Sequence, residues 1–179
     1  MPRLFTGIEI PGPQRTALSL LQTGLPDARW SEASDLHVTL RFIGDVSPSM
    51  ADAVVEALDS RAWTAPRIAF TGLSAFGGAK PRSIHAAVAE DEALMRLAAA
   101  QERLMQRLGL PPDGRRFTPH VTLARFRGGA SVDAIARWLG SRDLAFVPPF
   151  VPVRFALFSA RESTGGGPYH AEEVFAFGE

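Results

Sequence analysis

The chain contains no cysteine. That excludes disulfides and any Cys-based zinc site, and it suits a reducing cytoplasm. Lysine is nearly absent too: of 19 Lys and Arg residues, Lys80 is the only lysine. The positive charge is therefore carried by arginine, whose planar fork matches phosphate, although base bias in a genome gives the same Arg-, Ala- and Gly-rich composition. No apolar run approaches the roughly 18 residues needed to span a bilayer. The first residues, MPRLFTGIEIPGP, meet Glu9, Pro11 and Pro13 before a signal-peptide core can form. These absences predict a cytoplasmic protein with no membrane attachment. Acidic and basic residues balance at 19 each, so the chain lacks the basic footprint of a duplex-coating protein.

What is present fits one domain over residues 1–179, long enough to bury a core without staples. Arg3–Ile10 reads as a strand closed by Pro11 and Pro13. Gln14–Leu25 carries Leu18, Leu21 and Leu25 at helical spacing. Leu36–Ile43 alternates as a strand. Ser47-Pro48 is a helix start. Arg67–Leu73 and Ser83–Ala89 read as strands on either side of a Gly- and Pro-rich turn. Asp91–Leu108 is the clearest amphipathic helix, and Phe117–Phe126 is a strand. Ser131 caps a short helix through Leu139. Phe146–Ser159 and Tyr169–Phe177 read as late strands joined by the loop ESTGGGP. The order is β-α-β-α-β, repeated, with an added strand: an α+β chain of two similar lobes.

Only four histidines occur, and two of them head identical tetrapeptides, His37-Val38-Thr39-Leu40 and His120-Val121-Thr122-Leu123. In a strand, residues i and i+2 share a face. Each strand therefore presents a His/Thr pair on one face and packs its Val/Leu pair behind. If the lobes meet around a pseudo-twofold axis, the two polar pairs converge on one cleft. Two imidazoles and two hydroxyls suit displacement at phosphorus. One histidine acts as base on the attacking water and the other as acid on the leaving oxygen, both near neutral pH. The threonines donate hydrogen bonds to non-bridging oxygens. No carboxylate cluster accompanies them, so no metal and no cofactor is expected.

The sequence resembles the 2H phosphoesterase superfamily and, within it, the RNA 2′,3′-cyclic phosphodiesterases, also called 2′-5′ RNA ligases. The resemblance rests on IPGP, on RW before the first motif, on LHVTLRFIGDV, on the GxSAFGG–PR stretch, on RRFTPHVTLARF and on LFSARESTGGGPYH. These pieces are spread over nearly the whole chain. The resemblance implies a bilobal pseudo-twofold α+β fold, with two β-sheets flanking a central cleft and helices outside. It implies opening of RNA 2′,3′-cyclic phosphate ends to 2′-phosphomonoesters. It also implies that His37 is the proton donor and His120 the acceptor; the residues themselves leave that choice open, because the two motifs are equivalent.

Around the motifs, Arg41 falls by alternation on the His37/Thr39 face and is a candidate phosphate contact. Arg125 falls on the face opposite His120 if its strand stays regular; a bulge re-aims it, or it ends the strand, or it is structural. Trp30, Phe42, Phe76 and Tyr169 are rings that could stack on bases; Phe42 is expected to face the core, and Trp30 and Tyr169 are the better candidates. His85 and His170 lack a Thr two positions on; His85 reads as a packing residue. The expected partners are RNA ends, single-stranded or tRNA-derived, or small cyclic phosphates, acted on by a monomer. The rival readings are a phosphodiesterase on small cyclic nucleotides, 2′-5′ RNA ligation by the same site run in reverse, and a non-catalytic RNA-binding module.

Overall fold

A computed structural model describes residues 3–128, 130–160 and 167–178. The strands are β1 (Arg3–Glu9), β2 (Ala28–Trp30), β3 (His37–Asp45), β4 (Phe70–Phe76), β5 (Ser83–Val88), β6 (His120–Phe126), β7 (Arg154–Ala160) and β8 (Tyr169–Ala176). The helices are α1 (Gly12–Ser19), α2 (Pro48–Asp59), α3 (Glu92–Arg107) and α4 (Val132–Gly140). Among the described residues none of these helices is long and apolar enough to cross a membrane.

Local chemistry explains most boundaries. Three helices begin at a side chain that accepts an orphan backbone N–H: Ser47 from Met50 at 3.2 Å, Asp91 from Leu94 at 3.1 Å and Ser131 from Ala134 at 3.2 Å. Helix α3 buries Leu94, Leu97, Ala98, Leu104 and Met105 along one stripe, as its spacing predicts. Helix α1 stops at Ser19, short of the expected Leu25: the chain passes into a turn at Leu20 and Leu21 and then takes a positive φ of 85° at Gly24. Leu18, Leu21 and Leu25 are buried all the same. The strand expected over Phe146–Ser159 is confined to its second half. Pro148, Pro149 and Pro152 remove ladder donors from the first half, which keeps only a bridge between Phe150 and Ile68. Strand β2 was not expected; three residues are too few to show a period. Residues 162–166 of the loop ESTGGGP lie outside the described residues.

The sheet runs β4-β5-β6-β3-β1-β7-β8, with β2 on β6. Every pairing is antiparallel. Its two halves, β3-β1-β7-β8 and β4-β5-β6, join where β3 meets β6 through one pair, Val38 opposite Val121. The expected two sheets are thus hydrogen-bonded edge to edge along a narrow seam. The run β1-α1-β3-α2-β4 matches the run β5-α3-β6-α4-β7. In each, the last strand crosses over: β4 pairs with β5 and β7 pairs with β1. Neither half of the sequence holds all of its own sheet.

That exchange leads us to propose that residues 1–179 unfold as one cooperative unit. Calorimetry should show one transition whose calorimetric and van't Hoff enthalpies agree; two separable transitions would contradict it.

Candidate functional site

Val38, Leu40, Val121 and Leu123 are buried in the main core, which leaves His37, Thr39, His120 and Thr122 on the opposite face as alternation requires. All four line one cleft of about 1070 Å³. Continuing the Val38–Val121 register one residue either way sets His37 across from Thr122 and Thr39 across from His120. The two motifs therefore interleave at the seam.

Each histidine is oriented in the same way. His37 Nδ1 lies 2.7 Å from the Asp35 carbonyl, and His120 Nδ1 lies 2.7 Å from the Thr118 carbonyl. A carbonyl only accepts, so Nδ1 carries the hydrogen in both rings and the lone pair of the neutral imidazole sits on Nε2. His37 Nε2 is 3.0 Å from Thr39 Oγ1. The hydroxyl donates to that nitrogen when the ring is neutral and accepts from it when the ring is protonated. Pro119, between the two, disfavours a helical conformation at Thr118, whose carbonyl faces the His120 ring.

Both imidazoles are held below their ordinary pKa. His37 is lowered to about 4, chiefly by burial, with the charges of His120 and Arg125 adding to the shift; the Asp35 carbonyl and carboxylate act the other way. His120 is lowered by burial and then by Arg125, against the Thr118 hydrogen bond. Aromatic rings supply the burial. His37 lies 4.9 Å from Phe5, 5.8 Å from Phe158 and, edge on, 5.0 Å from Tyr169. His120 meets Phe76 edge on at 4.9 Å and His85 at 5.1 Å.

The arginines are where strand alternation misleads. The β1–β3 register skips Leu40 and, further on, Ile43, and the β5–β6 register skips Leu123. The bulges at Leu40 and Leu123 turn the next residue inward and the one after it outward. Arg41, expected on the His37/Thr39 face, is turned inward and only 5% exposed, although it remains part of the cleft lining. Its guanidinium pairs with Glu102 on α3 and donates to the Pro111 carbonyl at 2.6 Å. Phe42, expected in the core, is exposed in the cleft. In β6 the same bulge buries Ala124 and re-aims Arg125 into the cleft, exposed. Phe42 and Arg125 are thus equivalent positions, five residues after each histidine, carrying different chemistry. Arg115 and Arg116 also line the cleft, paired with Asp113 at 3.2 Å and Glu90 at 3.0 Å. Among the described residues Arg125 has no ion-pair partner.

Tyr169 lines the cleft and a smaller pocket of about 200 Å³ on the other side of His37. Trp30 lines only that smaller pocket and packs its ring against Trp138 at 5.9 Å. His85 is a packing residue with a polar partner. It stacks on Phe76 at 3.8 Å, and its Nε2 lies 2.6 Å from Ser74 Oγ. Burial, then the charge of His120, lowers it to about 4. Phe76, one of the rings considered for base stacking, lines the cleft beside His120. Phe5, Phe158 and Asp35 were not singled out from the sequence; the signal for Asp35 was its place two residues before His37, and nothing in the sequence marks the two rings. Among the described residues no three His, Cys, Asp or Glu side chains group to hold a metal ion.

Three imidazoles whose pKa values are lowered on folding make stability pH-dependent. Below the ordinary value the unfolded chain binds protons that the folded chain refuses, so stability falls as the pH drops from about 6.5 toward about 4. Thermal melts over that range should show the loss, and His85→Phe should reduce its slope. An unchanged slope would place the proton uptake elsewhere.

Comparison with known proteins bears on the same motifs. The family model of the 2′-5′ RNA ligase superfamily matches residues 15–162. An RNA 2′,3′-cyclic phosphodiesterase of Aeropyrum pernix is 36% identical over 123 residues, which is 68% of this chain and 69% of that one. A protein of the same name from Geobacillus stearothermophilus is 37% identical over 106 residues, 58% of this chain and 34% of that one. Among solved structures, E. coli LigT complexed with 3′-AMP superposes with a TM-score of 0.81 at 20% identity, covering 100% of both chains. TT0787 of Thermus thermophilus superposes at 0.77 with 24% identity, covering 98% of this chain and 97% of that one. These two show the fold.

Proposed function

The chain belongs to the 2′-5′ RNA ligase superfamily, and from that premise we propose that it hydrolyses RNA 2′,3′-cyclic phosphate ends to 2′-phosphomonoesters by two-histidine acid–base catalysis. The observation that carries the reading is the matched orientation of His37 and His120, each with Nδ1 tied to a carbonyl and Nε2 left for chemistry.

Water attacks phosphorus and the bond to the 3′ oxygen breaks. His120 Nε2 takes the proton of the water, and His37 gives its Nε2 proton to the departing 3′ oxygen. Thr39 and Thr122 donate to the non-bridging oxygens, and Arg125 meets the phosphate charge. The roles of the two histidines follow the family pattern. Asp35 agrees with that assignment, since its charge favours a proton on His37. Neither proton transfer needs a metal.

RNA is favoured over a small cyclic nucleotide because the cleft, at about 1070 Å³, reaches past the motifs to Arg3, Phe42, Arg115 and Arg116. That is as large as sites for drug-sized ligands become. Phe42 and Tyr169 are the rings best placed to stack on bases, whereas Trp30 is committed to Trp138. A binding module would not need two imidazoles held alike through their Nδ1 atoms. Action in the cytoplasm as a monomer completes the proposal.

On a short RNA ending in a 2′,3′-cyclic phosphate, activity should survive a chelator and yield the 2′-phosphate. His37→Ala or His120→Ala should cost roughly 10²–10⁴-fold. Thr39→Val, Thr122→Val or Arg125→Met should cost roughly 10–100-fold, the worth of a hydrogen bond to a charged group. Loss of activity on chelation, or a 3′-phosphate product, would overturn the mechanism.

The pH profile should be bell-shaped. Both free histidines titrate below their ordinary value, so kcat/KM should peak on the acid side of about 6.5. A bound phosphate dianion or monoanion favours imidazolium and raises both values, so kcat should peak at higher pH than kcat/KM. Coincident or flat profiles measured from pH 4 to 9 would contradict the assignment.

A further inference from the structure

Asp35 makes three contacts on the far side of His37 from the cleft. Its carbonyl accepts the His37 Nδ1 hydrogen at 2.7 Å. Its carboxylate Oδ1 accepts the backbone N–H of Tyr169 at 3.1 Å. Its other carboxylate oxygen lies against the backbone of Gly167, so closely that a Cβ there would fall 1.7 Å from it. Tyr169 in turn sets its ring edge on against His37 at 5.0 Å. One residue therefore fixes the imidazole from behind and pins the start of β8 so that an aromatic wall closes beside it.

We propose that Asp35 is the positioning residue of the first motif, coupling the orientation of His37 to the docking of Tyr169. This rests on the acid–base reading of the cleft given above. His120 is built differently: its backing carbonyl comes from Thr118, which has no carboxylate to hold a second segment. The coupling breaks the equivalence that the two motifs have in sequence.

The charged and titratable groups around His37 are few. From β6 come His120 and Arg125, and from β8 the Tyr169 phenol. On β1, Glu9 stands opposite His37 in register and is paired with Arg154 at 3.1 Å. Arg29 and Glu32 share the smaller pocket. The walls given by β1 and β7 are Phe5 and Phe158, which carry no charge. Within this set the Asp35 carboxylate favours the protonated ring, against Arg125 and His120. A proton donor needs that bias, because the burial that positions it also strips its proton.

The test compares Asp35→Asn with Asp35→Ala. The Asn variant keeps an oxygen acceptor for the Tyr169 N–H and removes the charge. Its His37 should titrate lower than in the wild type, read by NMR of the ring nitrogens in the free protein. The alkaline limb of its activity profile should move to lower pH, with turnover above that limb falling roughly 3- to 10-fold and KM nearly unchanged. The Ala variant should also raise KM, because Tyr169 is released. If His37 titrates identically in the wild type and Asp35→Asn, or if activity falls evenly at all pH values, Asp35 is only structural and the proposal is wrong. Should Asp35→Ala fail to fold, the Asn variant decides. Since the NMR titration needs no substrate, it also decides if the wild type proves inert on RNA cyclic phosphates, a result that would sink the functional reading instead.

Discussion

Val38 facing Val121 is the contact on which the site depends. It is the one residue pair that joins β3 to β6, and both valines are fully buried. Apolar burial fixes which face each strand turns inward, and a one-residue slip would send both His/Thr pairs into the core. The exchange of β4 and β7 between the halves then holds the seam from both sides. The cleft exists because two copies of one short pattern are packed by their backs and opened at their fronts.

Regular alternation serves all four residues of each motif and fails at the residue that follows. The paired bulges at Leu40 and Leu123 divert Arg41 to Glu102 and bring Phe42 and Arg125 into the cleft. The outcome is a lobe that offers a ring facing a lobe that offers a cation, built on backbones that bend in the same way. A phosphate with a base attached is not symmetric, and neither is this cleft. The asymmetry continues behind the histidines, where Asp35 supports one and Thr118 the other.

The fold class, the two motifs and the direction of their side chains were legible in the sequence because strand alternation and helix spacing are local. The long helix and its capping residues were legible for the same reason. The late strand was misjudged where a proline cluster overrides propensity, and helix α1 was read past the turn at Leu20 and Leu21 because its leucine spacing continues through it. The bulges were not legible: a strand registers its extra residue only against its neighbour. They reverse the expectation for Phe42, turn Arg41 inward while leaving it in the cleft lining, and among the alternatives for Arg125 they favour the re-aimed one. Of Asp35 only its place two residues before His37 was legible, since the partners of its carboxylate, Gly167 and Tyr169, are more than 130 residues away. His85 was read correctly as packing, though no local pattern marks its place against His120.

The central claim is that His37 and His120 act on one phosphoryl group. The most direct measurement is a pH titration of both ring Nε2 resonances, free and with a nucleoside 2′-monophosphate bound. The account predicts that binding raises both pKa values together and that His120→Gln raises that of His37, since the charge of His120 opposes it. If the nucleotide moves only one histidine, or if each titrates without regard to the other, the two motifs do not form a single site and the account fails.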